Sequence, residues 1–206
     1  YAHVAAPLVG FAPILGVYGI GVLVAMCAGC IAMLTQRRKL PALGLCAALL
    51  LAGWGLKHVA WTEPAGQPLT VRLLQGNIRQ DEKFSAEHLG EILVRYRDMM
   101  TAAPADLIAA PETAIPVFPN QLPPDYLQTF RDYAARTGSA YLFGIPLADS
   151  MTVYANSVAG IGPQGQSYRY DKHHLVPFGE FIPTGFRWFT DLMQIPLGDF
   201  TRGPAV

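Results

Sequence analysis

An α/β domain carried behind two membrane-spanning helices is the architecture this sequence predicts. Three observations predict it. Two runs without a charged side chain, Val4 to Thr35 and Leu40 to Leu56, fill the N-terminal part. Beyond Thr62 the chain alternates short β-rich runs with amphipathic helical spacing, the pattern of a layered α/β domain. Acids, a lysine and two histidines then gather where predicted strands end, which is where such domains carry function.

The composition of 51% hydrophobic residues and the mean hydropathy of +0.26 owe most of their excess to the first sixty residues. A hydrocarbon core of roughly 30 Å takes about 20 apolar helical residues, so the first run is long enough and the second is just long enough if flanking residues contribute. The sequence therefore predicts a membrane region over 1–61, with helices at about 8–34 and 40–60. Between them lies the basic stretch Gln36-Arg37-Arg38-Lys39. The positive-inside rule puts that loop in the cytoplasm and the domain after Trp61 on the far side, the periplasm of a diderm cell. Trp54 and Trp61 fit an interfacial belt. A signal peptide is disfavoured, because Tyr1 is no start residue, no basic segment precedes the run, and there are two runs. The chain is expected to be cut from something longer. A net charge of zero gives no sign of nucleic-acid binding. Cys27, Cys30 and Cys46 all lie inside the apolar runs, where a thiolate is costly, so they read as small membrane residues and not as a redox or metal pair.

Thr62–Pro68, with two prolines and a glycine, is a linker, and 69–206 is the domain. Leu69 to Leu74 reads as a strand ending at Gln75-Gly76-Asn77. After Ser85, a predicted N-cap, Leu89, Ile92, Leu93, Tyr96 and Met99 or Met100 recur at helical spacing. Asp106 to Ala110 is an apolar strand buried on both faces, ending at Pro111-Glu112-Thr113. A proline-rich loop runs to Pro124. Leu127, Phe130, Tyr133 and Ala134 mark a second helix closed near Gly138. Ser139 to Pro146 is the third strand, and Tyr154 to Ile161 with Gln166 to Tyr170 form a hairpin around Gly162-Pro163-Gln164-Gly165.

Glu112 stands at the tip of a buried strand, where partial desolvation favours a general base, although a turn acid facing solvent has the same sequence signature. The segment from Tyr170 to Phe181 packs Lys172, His173, His174, Asp171 and Glu180 among Pro, Phe and Gly, an odd composition for a solvated face. A lysine held beside carboxylates keeps its charge and can face a developing oxyanion. The adjacent histidines point to opposite sides of an extended chain, and no third ligand is spaced to join them, so no metal is expected.

Pro111-Glu112-Thr113 and Tyr170-x-Lys172-x-His174-Leu175-Val176-Pro177-Phe178-Gly179-Glu180 resemble the glutamate and lysine motifs of the nitrilase superfamily, in the form used by apolipoprotein N-acyltransferases. Gln75-Gly76-Asn77-Ile78, Tyr154-x-Asn156-Ser157, Phe200-x-Arg202-Gly203 and Gly16-x-Tyr18-Gly19 are similar to that family as well. The resemblance implies a four-layer αββα sandwich and a Glu-Lys-Cys triad without cofactor or metal. Glu112 would be the base, Lys172 the oxyanion partner, and Glu180 an accessory carboxylate. The cysteine would carry an acyl group from a phospholipid to the α-amine of a diacylglyceryl-cysteine apolipoprotein. Phe84, Tyr154, Asn156, Phe118 and Phe181 would face substrate, with Phe186, Trp188 and Phe189 as further lipid-facing candidates. Both substrates stay in a bilayer, since each buried methylene is worth about 0.8 kcal/mol, so the enzyme works there, as a monomer of the inner membrane.

The family cysteine falls well beyond the lysine motif, past Val206, and further family membrane helices lie outside the chain. The domain is therefore expected to be truncated, inactive alone, and of low stability through an exposed sheet edge. Phe84 stands where the family often has Trp. A membrane-tethered amidase using the same triad with water, or a non-catalytic lipid-binding scaffold, are the alternative readings. The upstream spans argue against the first, and the joint presence of Glu112, Lys172 and Glu180 against the second.

Overall fold

The computed structural model describes residues 5–35, 39–150, 152–186, 188 and 200–205. The chain divides into two compact units, Tyr1–Gln67 and Pro68–Val206.

In the first unit a 3₁₀ turn, Pro7–Phe11, leads into α1, Ala12–Ala32, and α2 covers Lys39–Leu56. The two pack through Leu8, Ile20, Leu23 and Cys27, with Phe11, Val24, Cys46 and Leu49 against them. Close approach depends on glycine, because a Cβ on Gly10 would sit 1.9 Å from the Gly53 carbonyl oxygen. Small residues at a helix crossing are the usual device of membrane pairs. The apolar run predicted one continuous first helix. Gly16 breaks it, at φ 64 and ψ −177, a conformation open only to glycine. The segments Pro7–Ala32 and Lys39–Leu56 are long and apolar enough to cross a membrane. Of the basic stretch Gln36 to Lys39 on which the expected orientation rests, Gln36, Arg37 and Arg38 lie outside the described residues.

The second unit is a five-stranded mixed sheet in the order β1-β2-β3-β4-β5. Its strands are β1 (Val71–Leu73), β2 (Leu107–Ala109), β3 (Ala140–Ala148), β4 (Tyr154–Ile161) and β5 (Ser167–Asp171). The first three run parallel, and the last two add antiparallel. Helices α3 (Leu89–Thr101) and α4 (Tyr126–Thr137) are the crossovers between the parallel strands. Alternation decides the faces: Tyr141, Phe143 and Ile145 of β3 are buried in one core with Met100 of α3 and Phe130 of α4. Phe130 is its centre, with ring centroids 5.2 Å from Tyr126, 5.6 Å from Tyr141 and 6.1 Å from Phe143. Two phenols reach into that core satisfied: Tyr126 donates to the Leu93 carbonyl at 2.8 Å and Tyr141 to that of Met100 at 3.1 Å.

One sheet and one helical layer are therefore present among the described residues, half of a four-layer sandwich. On the other sheet face Val71 and Leu73 are 50% and 81% exposed. The first strand is shorter than its apolar run, but the ladder continues past it, with Leu74 N–H bound to the Ala109 carbonyl at 2.8 Å. Ser85 does not cap α3 with its side chain. Its carbonyl instead accepts from the N–H groups of His88 and Leu89, so the turn starts there and regular helix at Leu89. Gly138 closes α4 in the left-handed region, φ 76, as its position predicted.

Candidate active site

Three chain segments meet at the end of the sheet where β2, β3 and β5 finish and β4 begins. The first is Pro111-Glu112-Thr113. The Pro111 carbonyl accepts from both Ala114 and Gly144, and Ile115 donates to the Gly144 carbonyl. This ties the turn to β3. Gly144 is required there, since a Cβ would lie 2.3 Å from Thr113 N and 2.7 Å from Glu112 Cα. Thr113 holds φ 52, which a β-branched residue adopts only under constraint. Strain of this kind concentrates at functional sites.

The second segment is the β4–β5 pair, where Lys172 N–H donates to the Asn156 carbonyl at 2.9 Å, placing the two side chains on neighbouring strands. The third is the turn after Leu175. Glu180 N–H donates to the Val176 carbonyl, Val176 N–H donates back to Glu180 Oε2, both at 2.8 Å, and Phe178 takes φ 61. A strap ties the second and third segments together: Phe200 N–H donates to Glu180 O, Thr201 to Tyr154 O and Gly203 to Lys172 O.

The side chains converge on shared oxygens. Lys172 Nζ lies 3.1 Å from Glu112 Oε1 and 2.9 Å from Glu180 Oε1. Asn156 Nδ2 donates to the same two atoms, at 2.5 and 2.8 Å. Glu180 is thus occupied on both oxygens. Glu112 is occupied on one, and its Oε2 carries no hydrogen bond among the described residues. Side-chain exposure follows the same division: 60% for Glu112, 28% for Lys172 and 12% for Glu180. Glu112 is thus the most exposed of the three, in line with the solvent-facing alternative for a turn acid. For Glu180, burial works to raise the carboxyl pKa, but the Val176 N–H, Lys172 and Asn156 outweigh it, and the group is held below the ordinary carboxylate range. For Lys172, burial opposes the charge and the two carboxylates more than compensate, so its pKa is raised.

A cavity of about 810 Å³ opens beside the cluster, lined on its polar side by Gln80, Lys83, Glu112, Asn156 and Glu180. Phe84, Phe118, Tyr154 and Phe200 form the aromatic side. Tyr154 joins this wall edge-on, 6.0 Å from Phe118 and 5.3 Å from Phe200. Four of the five predicted substrate-facing residues therefore line one space, and Asn156 serves the carboxylates as well. The fifth, Phe181, lies elsewhere, under the Arg202 guanidinium at 4.8 Å. Phe186 packs edge-on against Phe178, Trp188 is 64% exposed, and Phe189 lies outside the described residues. Among the described residues no three His, Cys, Asp or Glu side chains are placed to hold a metal. His173 instead bonds the Gly203 carbonyl through Nδ1 at 2.7 Å. Cys27, Cys30 and Cys46 all belong to the first unit. Sequence reasoning missed Lys83, whose ammonium donates to the Glu112 carbonyl at 3.0 Å. Its only signal was a position next to Phe84.

The sequence pattern of the carbon-nitrogen hydrolase family matches residues 51–198. The chain is similar to an apolipoprotein N-acyltransferase of Ralstonia nicotianae, 49% identical over all of this chain and 40% of that protein. It is 41% identical to one from Nitrosomonas europaea, over 97% of this chain and 41% of the relative. The chain thus spans about 40% of the length of the curated relatives it matches. A solved carbon-nitrogen hydrolase superfamily protein from Xanthomonas campestris aligns at 20% identity over 63% of this chain and 46% of its own, with a TM-score of 0.41.

Proposed function

The chain belongs to the carbon-nitrogen hydrolase family, and from that premise we propose that it carries the acid-base and oxyanion groups of a membrane N-acyltransferase. The reaction would move a fatty acyl group from a phospholipid to the α-amine of a diacylglyceryl-cysteine apolipoprotein through a cysteine thioester. The observation that carries the reading is the joint bridging of Glu112 and Glu180 by Lys172 and Asn156, beside an aromatic-walled cavity. Similarity to named apolipoprotein N-acyltransferases supports the substrate pair.

In the first half-reaction Glu112 Oε2, the oxygen left open, takes the thiol proton as sulfur attacks the ester carbonyl. The N–H of Lys172 that is not spent on a carboxylate faces the oxyanion. Collapse breaks the ester bond, and Glu112 returns the proton to the departing lysophospholipid alcohol. In the second half the amine attacks the thioester, Glu112 takes an amine proton, and that proton restores the thiol. Glu180, occupied on both oxygens, positions Lys172 and transfers no proton. The reading requires a thiol outside these 206 residues. It also places the apolar helices in the inner membrane, with the domain facing the periplasm; the basic composition of Gln36 to Lys39 supports that orientation.

The test uses the full-length polypeptide and phospholipid labelled in its acyl chain. Glu112→Gln and Lys172→Ala are each expected to abolish thioester labelling while circular dichroism stays native. Undiminished labelling in either variant contradicts the assignment.

A further inference from the structure

Two lysines stand near Glu112, and they are held differently. Lys172 is locked between two carboxylates and is not among the residues lining the cavity. Lys83 lines the cavity, and its ammonium has a single hydrogen-bond partner among the described residues, the neutral carbonyl oxygen of Glu112 at 3.0 Å. No carboxylate comes within 4.0 Å of it among those residues, whereas Arg97 takes one and Arg79 and Arg169 take two each. A half-buried ammonium with one neutral acceptor is costly to keep charged. Burial accordingly lowers its pKa, offset in part by the Glu112 charge. The ammonium stands at the wall of a cavity whose other side is Phe118, Tyr154 and Phe200.

Charge balance points the same way. Glu112, Glu180 and Lys172 together carry one net negative charge, which by itself repels an anionic ligand; Lys83 offsets that charge from the cavity wall, which Lys172 does not line. A space with a cation at one side and aromatic rings at the other suits an anionic amphiphile. A glycerophospholipid carries its phosphodiester and its acyl esters on one three-carbon backbone. Glu112 carries the carbonyl bonded to Lys83 and the reacting carboxylate on one residue. Both residues line the same cavity and interact electrostatically, so an anion held by Lys83 brings its lipid to the space that Glu112 faces.

We infer that Lys83 is the headgroup subsite of the acyl donor, its ammonium binding the phosphodiester anion and so selecting phospholipid over uncharged esters. This rests on the acyl-transfer reading above. It assigns Lys83 a binding role and no proton transfer.

The experiment measures thioester formation by the full-length polypeptide from two donors in detergent micelles, dipalmitoyl phosphatidylglycerol and the uncharged p-nitrophenyl palmitate. In Lys83→Met the ratio of kcat/KM for the phospholipid to that for the uncharged ester is expected to fall about tenfold or more, as loss of a charge-assisted hydrogen bond implies. Lys83→Arg is expected to recover most of the ratio. An unchanged ratio, with both donors slowed alike or neither slowed, overturns the subsite and leaves Lys83 as a support for the Glu112 backbone. A second measurement needs no variant. In the wild type, lysophosphatidylglycerol is expected to compete with the phospholipid donor better than monopalmitoylglycerol does, and inorganic phosphate alone to compete weakly. Equal competition by the two monoacyl compounds overturns the subsite; competition by inorganic phosphate as strong as by the lysolipid overturns the assignment to a lipid headgroup. A wild type that forms no thioester from either donor refutes the acyl-transfer reading itself, and the subsite with it.

Discussion

Asn156 and Lys172 present the same pattern of donors to the same two oxygens, one neutral and one charged, and only the charged one titrates. The pH behaviour of the cluster follows from its two shifted groups. Glu180 is depressed, so its contribution is present above the ordinary glutamate value of about 4.3 and is lost as pH falls through its lower folded value. Lys172 is raised, so its contribution is present below the ordinary lysine value of about 10.4 and is lost as pH rises through its higher folded value. Thioester formation limited by this cluster is expected to hold level between those limits. Glu180→Gln removes one of the two negative charges on Lys172 and is expected to move the alkaline limb to lower pH; an unmoved limb shows that Glu180 does not act through the lysine. Glu112, Lys172 and Glu180 were legible because each sits in an ordered motif. Lys83 was not, because its importance depends on a carbonyl 29 residues away, and nothing local marks a lysine in the polar loop Asp81-Glu82-Lys83 as half-buried.

The elements set the tolerances of the site. A methyl on Gly144 would meet backbone atoms of Glu112 and Thr113, and backbone gives way less readily than a side-chain end. Gly144→Ala is expected to cost about 1–3 kcal/mol in denaturant unfolding, the range for overpacking, and to depress acyl transfer further by displacing Glu112. A variant with wild-type stability and rate contradicts the close approach. Phe130→Ala empties the centre of the core and is expected to cost about 3–5 kcal/mol. Both helices of the domain were readable from the recurrence of Leu89, Ile92, Tyr96 and of Leu127, Phe130, Tyr133, since burial of one face imposes that period. Three features escaped. The start of α3 shifted because Ser85 contributes its carbonyl in place of its hydroxyl, and the break at Gly16 is invisible in a run where every residue is apolar. The third, the left-handed Thr113, is imposed by hydrogen bonds from β3 and has no local sequence signal.

At the scale of the whole molecule, the two units differ in the surface each exposes. The helices expose Leu40, Leu51, Val17 and Tyr18 at 74%, 68%, 57% and 90%, as suits a hydrocarbon surround. The domain exposes Leu73 and Val71 on the uncovered sheet face, so residues 68–206 expressed alone are expected to bind a hydrophobic dye and to aggregate on warming; a monodisperse, dye-silent domain contradicts that reading of the face. The division of the chain into two units near residue 68 follows the charge distribution. The absence of a second sheet among the described residues could not be read from the sequence, since strand and helix periods do not say how many layers close. The fate of one acyl chain decides the acyl-transfer assignment. With labelled phospholipid and a diacylglyceryl-cysteine peptide, the full-length polypeptide is expected to place the label in an amide on the peptide's N-terminus, and Glu112→Gln to place none. Release of the label as free fatty acid with no acylated peptide, or acylation undiminished in Glu112→Gln, contradicts it.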